Sequence, residues 1–180
     1  MTRGSTTIRR AKPTITDAEA IISVGRPVFE ITFGHLTPPD ELKSMLDGIY
    51  NVESVLTDLN DPFKVFFLAL MNERVVAYSQ LTIGGVSELS CLQNYKNYIK
   101  LGKIYVDVNH HGSGVSRTLM ENTLNEAKRM GYANIYLTVY GENDRAKRFY
   151  EKFGFDKIGE TQFTIGKRVV TDWVMLAPLQ

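Results

Sequence analysis

Apolar residues spaced three and four apart alternate along this chain with runs of β-branched and aromatic residues, which predicts a mixture of helices and strands. Thr7–Ala11 can form a first strand. The capping-box pattern Thr16-Asp-Ala-Glu19 predicts that a helix begins there, and Pro27 should bend or restart it. Further helices are expected after Pro38-Pro39 and over Asn51–Leu59, where the apolar positions fall on one side.

The rest of the chain is richer in strand candidates. Lys64–Met71 and Val75–Ile83 predict a hairpin around Asn72-Glu73-Arg74, and the polar, irregular stretch Gly84–Asn97 predicts a surface loop. The last candidates are the strand Ile135–Tyr140, the helix Asn143–Phe153, and the strands Asp156–Ile165 and Thr171–Leu176. The order β, helices, ββ, β–helix–β–helix, ββ predicts a layered α/β fold in which helices pack on a mixed sheet.

Between these parts, the segment Leu101–Met120 predicts a strand, a glycine turn and the start of a helix. The strand is expected at Ile104–Val108, which is rich in β-branched and aromatic residues. Gly112 and Gly114 can adopt positive φ, and helical spacing of apolar residues starts at Val115. The N–H groups of a helix's first turn have no partner inside the helix and lie at the positive end of its dipole. This turn can therefore hold a phosphate.

Composition indicates a single domain over residues 1–180, of which residues 1–6 are expected to form a flexible end. The chain is 43% apolar and 23% charged with a net charge of +1, so we expect neither nucleic acid nor a membrane as a partner. The only cysteine, Cys91, cannot form an internal disulfide, which favours a cytoplasmic location. The longest apolar run, Val65–Met71, is too short to span a bilayer.

The glycine turn can be compared with three nucleotide-binding patterns. A GxxxxGK[ST] phosphate loop is absent, and a dinucleotide fingerprint fails because no third glycine follows Gly114. The pattern Gln/Arg-x-x-Gly-x-Gly/Ala fits His111–Ser116 better, with two of its defining positions substituted. The alternative is a glycine turn that enters a helix and binds nothing. His35, His110 and His111 lack the spacing of metal ligands, so no metal site is expected.

A second pattern begins at Asn143, one helix and one strand later. Ala146, Phe149, Tyr150 and Phe153 lie at helical spacing and form an amphipathic face. Tyr150 could carry its hydroxyl group from that face to the edge of the sheet. Two simpler interpretations stay open, because Asn143 is well placed to be a helix N-cap and Tyr150 could fill the core.

The two patterns together resemble the Gcn5-related N-acetyltransferase (GNAT) superfamily, over roughly residues 7–177. The second pattern reads Asn-x-x-Ala-x-x-Phe-Tyr-x-x-x-Gly-Phe from Asn143. Within the superfamily, the PaiA-type polyamine and small-amine acetyltransferases are most similar, through Phe29–Gly34, Leu42–Leu46 and Gly166…Thr171-Asp172. The resemblance implies a mixed, mostly antiparallel sheet with a central splayed parallel pair and flanking helices. It also implies acetyl-CoA as the cosubstrate.

The resemblance assigns roles to residues by their position in the motifs. Backbone groups of Ile104, Tyr105 and Val106 would contact the acetyl and pantetheine arm of coenzyme A. Asn143 would bond the pantetheine, and Tyr150 would be the general acid. The N–H groups that would hold the pyrophosphate belong to His111, Gly112, Ser113, Gly114, Val115, Ser116 and Arg117.

The expected reaction is transfer of an acetyl group to a primary amine of a small molecule by direct attack. The amine must first lose a proton, and the departing thiolate needs a hydrogen bond or a proton. Glu30 and Glu88 are candidates for a base that acts through water. The alternatives are acetylation of a peptide or protein amine, and a non-catalytic acyl-CoA-binding regulatory module. A homodimer is compatible with this interpretation.

Charge bears on the identity of the amine. PaiA-type sequences are acidic before the central strand and in the final hairpin, where this chain has Lys100, Lys103, Lys167 and Arg168. A strongly cationic polyamine is therefore not the expected acceptor. The basic residues Arg145, Lys147, Arg148 and Lys152 are expected on the solvated face of their helix, with binding of the 3′-phosphate of coenzyme A as the alternative.

Overall fold

The computed structural model describes residues 5–84 and 88–179. Its helices are α1 (Ile15–Phe33), α2 (Pro39–Ile49), α3 (Val52–Asn60), α4 (Val115–Arg129) and α5 (Asp144–Glu151). Its strands are β1 (Thr6–Arg10), β2 (Lys64–Met71), β3 (Arg74–Thr82), β4 (Tyr98–Val106), β5 (Asn134–Tyr140), β6 (Asp156–Ile165) and β7 (Arg168–Pro178). Short 3₁₀ turns cover Gly34–Leu36, Ser90–Leu92 and Val108–His110.

All described strands join one sheet of order β1-β2-β3-β4-β5-β7-β6. Every neighbouring pair is antiparallel except β4–β5, which is parallel. Pairing between β4 and β5 runs only from Tyr98↔Asn134 to Lys100↔Tyr136. Beyond that point the two strands separate and leave a gap in the middle of the sheet. The predicted α/β class, the mostly antiparallel sheet and the central splayed parallel pair are confirmed.

Helices cover both faces of this sheet, so the apolar core has two layers. On one face, α4 buries Val115, Leu119 and Met120 against alternate residues of the central strands. On the other face, α1 and α3 cover β2 and β3, and α2 covers the ends of α1 and β5. The gap between β4 and β5 thus lies between α4 and α5 on one side and α1 and α2 on the other.

The β2–β3 hairpin turns as the sequence predicts. Asn72 and Glu73 have φ values of 49° and 63°, and Met71 pairs with Arg74. Two central residues in the left-handed region match the twist of the flanking strands. The predicted turn is therefore confirmed.

The first helix differs from its prediction at its start and in its middle. Its N-cap is Thr14, whose side chain accepts the N–H of Asp17 at 3.3 Å, so the capping box at Thr16 was wrong by two residues. Pro27 lies inside a helix that continues to Phe33, so the helix does not restart there and that part of the prediction was wrong. Burial of one face of α1 against the sheet outweighs the loss of one backbone hydrogen bond at the proline.

The central strand is shifted relative to its prediction. β4 begins at Tyr98 and ends at Val106, while Val108 lies in a 3₁₀ turn with 40% of its side chain exposed. The pairing with β3 has a bulge near Gly102, because Gln80 pairs with Lys103 and the next residue of β3 pairs two positions earlier in β4. A bulge changes which face a side chain reaches, so the shift matters for the site.

The predicted loop Gly84–Asn97 falls partly outside the described residues, which resume at Glu88. Its described part is not purely superficial, because Leu92 is fully buried against Tyr136 and Val174. Among the helices of the described chain, none is long and apolar enough to cross a membrane.

Candidate active site

A cavity of about 480 Å³ lies at the gap between β4 and β5. It is open at one end, and two of its walls are helices on opposite sides of the sheet. One wall consists of Val28, Ile31, Thr32 and His35 from α1 and the next turn, with Ile104 and Val106 from β4. The other lining residues are Val108, His111, Gly112 and Ser116 from the following turn and α4, Tyr140 from the end of β5, Glu142 and Asn143 after it, and Arg145, Ala146, Phe149 and Tyr150 from α5.

Backbone groups of β4 point into this gap at alternate residues. The N–H of Asp107 donates to a carbonyl group of β3 at 2.8 Å. Alternate residues of a strand direct their N–H groups to the same edge. The backbone N–H of Tyr105, two residues before Asp107, therefore also faces β3, where Tyr105 pairs with Tyr78. Ile104 and Val106 must therefore direct their backbone N–H and C=O groups toward β5, where no strand meets them. Two of the three predicted β4 residues have free backbone groups at the gap, and Tyr105 does not.

The glycine turn ends at the N-terminus of α4. Gly112 and Gly114 have φ values of 79° and 94°, a conformation that favours glycine, and an added Cβ would meet no atom within 4 Å at either position. Gly114 is the N-cap, and no side chain caps the helix there. In the described chain the N–H groups of Ser116 and Arg117 have no protein acceptor. The turn is thus open, and its free N–H groups can donate hydrogen bonds to an anion.

Only part of the predicted pyrophosphate turn lines the cavity, namely His111, Gly112 and Ser116. Val115 is 1% exposed and packs in the core, and Arg117 lies over the ring of Phe153 with its guanidinium carbon 5.9 Å from the centroid. The Ser113 hydroxyl donates to the carbonyl group of His110 at 2.7 Å. The side chains of Ser113, Val115 and Arg117 therefore stabilise the turn, while the predicted role concerns their backbone N–H groups.

Asn143 lies where β5 ends and α5 begins. Its Oδ1 accepts the N–H of Ala146 at 3.1 Å, so the residue is the N-cap of α5, as the simpler interpretation held. Asn143 also lines the cavity. Its Nδ2 has no hydrogen-bond acceptor in the described chain, and it can still donate to a bound molecule.

Tyr150 lies on the face of α5 that packs on the sheet and the cavity. Its ring centroid is 5.6 Å from that of Phe149 and 5.8 Å from that of Phe155, so both rings hold it in place. Burial raises the pKa of Tyr150, which keeps the phenol protonated at neutral pH. The hydroxyl group has no acceptor in the described chain. A half-buried, protonated phenol at the cavity, without a partner in the described chain, can donate a proton or a hydrogen bond.

The basic residues of α5 divide between two environments. Arg145 lines the cavity and Arg148 is exposed. Lys147 was expected on the solvated face, but it is only 9% exposed, and that prediction was wrong. Its ammonium group donates to the carbonyl of Gly141 and lies 4.1 Å from the ring centroid of Trp173. A cation can be buried here because a carbonyl oxygen, an indole ring and the carboxylate of Asp144, 2.8 Å away, replace its water.

The acidic residues proposed as bases do not line the cavity. Glu30 and Glu88 are exposed and lie elsewhere on the surface. The cavity instead has Glu142, whose Oε2 accepts the hydroxyl of Tyr140 at 2.9 Å, and the ring of His35 lies 6.3 Å from that of Tyr140. Sequence reasoning missed these three residues. Glu142 directly precedes Asn143 of the recognised pattern, which is the one signal that could have found it.

A buried carboxylate lies near the gap on the face of the sheet covered by α1 and α2. Asp172 of β7 pairs with Tyr140 across the sheet and is 9% exposed. Its Oδ1 is buried without a hydrogen-bond partner in the described chain. Burial raises the pKa of Asp172, and the charge of Lys100 opposes that shift. The sequence patterns included Asp172 only as part of a family resemblance.

The four cations that distinguish this chain from polyamine enzymes do not share one location. Lys103 is half-buried beside Tyr50, whereas Lys167 is 91% exposed on its side chain and lies 3.6 Å from a carboxylate oxygen of Glu41. Within residues 5–84 and 88–179, no group of three or more His, Cys, Asp or Glu side chains could hold a metal ion.

Comparison with known proteins agrees with this geometry. Residues 31–155 match the sequence profile of the acetyltransferase (GNAT) family. An uncharacterised N-acetyltransferase of Mycobacterium bovis is 28% identical over 165 residues, which cover 92% of this chain and 99% of that protein. A ribosomal protein bS18-alanine N-acetyltransferase of Escherichia coli is 26% identical over 91 residues, or 51% of this chain and 62% of that enzyme.

Solved structures share the whole fold. The PaiA N-acetyltransferase of Thermoplasma acidophilum, in complex with coenzyme A, superposes with a TM-score of 0.76 at 21% identity, over 97% of this chain and 99% of that one. The ribosomal-protein-S18-alanine N-acetyltransferase of Escherichia coli gives 0.70 at 17% identity, over 98% and 95%.

The family match covers well over half of the chain, and the fold and the cavity agree with it. The chain belongs to the acetyltransferase (GNAT) family and is an N-acetyltransferase.

Proposed function

We propose that this enzyme transfers the acetyl group of acetyl-CoA to a primary amine of a small molecule, by direct attack of the amine and with Tyr150 as the general acid. The observation that carries the proposal is the convergence at one cavity of three groups. These are the hydroxyl of Tyr150, the free backbone groups of Ile104 and Val106, and the uncapped N-terminus of α4.

Coenzyme A fits this arrangement on three grounds. Its extended arm could pair with the free edge of β4 at Ile104 and Val106, in place of the missing strand. The N–H groups from His111 to Arg117 could hold the pyrophosphate, and Asn143 could donate to the arm through Nδ2. The relative from Thermoplasma acidophilum, which has the same fold, contains coenzyme A.

The chain's own residues account for the two demands of the chemistry. A backbone N–H at Ile104 would donate to the negative charge that develops on the thioester oxygen when the amine attacks. Tyr150, held by two aromatic rings and with a pKa that burial raises further above neutral pH, would donate to the departing sulfur. Direct attack needs no protein nucleophile, and the one cysteine, Cys91, packs against Gly159, away from the lining residues.

A second acceptor class, the amine of a peptide or protein, is favoured by one observation. The relative and the fold neighbour from Escherichia coli are named for the alanine of ribosomal protein S18. The small-molecule acceptor is favoured by the size of the cavity, since about 480 Å³ must accommodate the cosubstrate arm and the acceptor together. We infer a cytoplasmic location from the single unpaired cysteine.

The test is acetyl-CoA-dependent release of free thiol with a panel of amines, confirmed by mass spectrometry of the acetylated product. The panel contains mono-amines, amino acids, spermidine, spermine and short peptides with free N-termini. We expect the highest specificity constant with a small mono-amine. A highest value for spermine, or for peptides alone, would overturn the proposed acceptor class.

A further inference from the structure

A second cavity, of about 370 Å³, lies on the face of the sheet that α4 covers. It is found at the edge where the first strand stops, since β1 pairs with β2 only as far as Arg10↔Phe67 while β2 begins at Lys64. Within the described chain, no residue lines both this cavity and the active-site cavity. The lining residues are Ile8, Arg9 and Arg10 from β1, Val65 and Phe67 from β2, Ile83 after β3, and Asn122, Glu126, Arg129 and Met130 from α4 and its C-terminal end.

The charges around this cavity leave one guanidinium group unbalanced. Arg9 donates to both carboxylate oxygens of Asp17, at 2.6 and 2.7 Å. The Nε of Arg129 lies 3.2 Å from each carboxylate oxygen of Glu126, so the acidic side chain of the lining is already paired. The side chain of Arg10 forms no hydrogen bond and no ion pair within residues 5–84 and 88–179. The lining therefore carries one positive charge without a carboxylate.

The same cavity contains a buried donor. The side-chain Nδ2 of Asn122 is buried and has no hydrogen-bond partner in the described part of the chain. A buried N–H group without an acceptor costs free energy, and nearly all such groups in folded proteins have a partner. Because Asn122 lines the cavity, a molecule held there can supply the missing acceptor.

The floor of the cavity is apolar. Val65 and Phe67 are buried members of the core under α4, and Ile8, Ile83 and Met130 pack against that core. Ile8 and Arg10 are alternate residues of β1 and therefore share this face of the sheet. A ligand with an apolar body would bury surface on this floor, and a bare inorganic anion would not.

We propose that this cavity is a second binding site, which takes a small monocarboxylate with an apolar body. The guanidinium group of Arg10 would bind the carboxylate, and Nδ2 of Asn122 would donate to one of its oxygens. The apolar body would lie on Val65 and Phe67. The volume is within the range of small-molecule sites. The site lies outside the active-site cavity and is independent of the acetyl transfer proposed above.

The test is a titration of the whole chain followed by ¹H–¹⁵N NMR, with saturating coenzyme A so that the active-site cavity is occupied. Hexanoate and benzoate are each compared with hexanamide and benzamide, which keep the size and lack the charge. We expect the side-chain amide signals of Asn122 to shift and at least one acid to bind about tenfold or more tightly than its amide. Equal affinities of acids and amides, tighter binding of inorganic phosphate than of either acid, or no saturable shift with any probe would overturn the proposed site.

The matched variants are Arg10→Met and Arg74→Met. Both remove one exposed guanidinium group, but Arg74 lies at the β2–β3 hairpin and lines neither cavity. Arg10→Met should weaken binding of the acid about tenfold, with little change for the amide or for Tm, and Arg74→Met should leave both affinities unchanged. An unchanged affinity of Arg10→Met for the acid would show that Arg10 does not bind it. An equal loss in Arg74→Met would show a general effect of charge, and either result would contradict the proposal.

A third variant tests the buried donor. Asn122→Ala removes the amide that both the acid and the neutral amide can use as a donor, so the affinity for both should fall severalfold. Unchanged affinity for both probes would exclude Asn122 from the site and contradict the proposed ligand position.

Discussion

The glycine turn before α4 allows a prediction in which charge is separated from backbone strain. Gly114 has a φ of 94°, and a Cβ added there would meet no atom within 4 Å. Gly114→Asn and Gly114→Asp therefore carry similar strain and similar bulk, and they differ by one negative charge. If the pyrophosphate of coenzyme A binds at this turn, the aspartate should repel it and the asparagine should not.

The magnitude follows from the distance and the surroundings. Two unit charges at 4 Å interact by about 1 kcal/mol in water and about 4 kcal/mol near a protein surface. The turn is partly open to solvent, so we expect about 2 kcal/mol, or roughly 30-fold weaker binding for Gly114→Asp than for Gly114→Asn. A negative charge favours the helix N-terminus itself, so the aspartate variant should not be the less stable of the two.

Isothermal titration calorimetry with coenzyme A at low and high salt is the assay. The difference between the two variants should shrink as salt rises, because exposed charges are screened. Gly131, at the other end of α4, also has a positive φ (88°) and free space around it, and it supplies the control pair Gly131→Asn and Gly131→Asp. Equal affinities of the two Gly114 variants at low salt would refute binding of the pyrophosphate at this turn.

Three further predictions concern stability. Arg9 holds the carboxylate of Asp17 through two hydrogen bonds of 2.6 and 2.7 Å, which lower the pKa of Asp17. Asp17→Asn should therefore reduce the free energy of unfolding by about 2 kcal/mol at pH 7, and this difference should shrink as the pH falls below the unfolded pKa of about 4 and vanish below the lower folded pKa. An unchanged denaturation midpoint at pH 7 would contradict this prediction. Gly25→Ala would place a Cβ 2.5 Å from a tyrosine ring and should cost about 1–3 kcal/mol, whereas Gly48→Ala, with open space around it, should be neutral or stabilising in thermal melts. Burial raises the pKa of the Asp172 carboxyl group, so its ionised form destabilises the fold at pH values above the unfolded pKa of about 4. Asp172→Asn should therefore raise Tm at pH 7 and leave it unchanged below about pH 4. A lower Tm at pH 7 would contradict this burial penalty.

Local patterns predicted the elements whose causes are local. The hairpin at Asn72 and Glu73, the helix from Val115 and the strand Asp156–Ile165 follow from turn chemistry and periodicity within a few residues. The sequence offered two roles for Asn143, as the N-cap of a helix and as a ligand of the pantetheine. The two polar atoms of its side chain are compatible with both roles, because Oδ1 caps α5 and Nδ2 has no acceptor in the described chain.

Long-range packing decided what the sequence could not predict. Pro27 stays inside α1 because one face of that helix is buried on the sheet. The direction of Lys103 depends on the register with β3 and on the bulge near Gly102, which no local pattern encodes. Val108 has strand propensity, but the side chain of Asp107 accepts the N–H of Asn109 at 2.9 Å and caps a 3₁₀ turn, in which Val108 is 40% exposed.

The cavity also brings together residues that are distant in sequence. His35 follows α1, Tyr140 ends β5 and Glu142 follows it, and all three line the cavity at the place where β4 and β5 have separated after Lys100. Their side chains carry no shared motif. The family resemblance implied the splayed pair of strands. The length over which β4 and β5 pair, and the residues that surround the gap, could be determined only from the structure.

The measurement that tests the account most directly is the turnover of Tyr150→Phe. The substitution keeps the ring and its contacts with Phe149 and Phe155 and removes only the hydroxyl group. Turnover should fall about 10²-fold or more, while coenzyme A affinity and Tm change little. Tyr132→Phe, a tyrosine packed in the same core but away from the cavity, should retain normal turnover. A Tyr150→Phe enzyme within about threefold of wild-type turnover, where chemistry limits the rate, would remove Tyr150 from the mechanism.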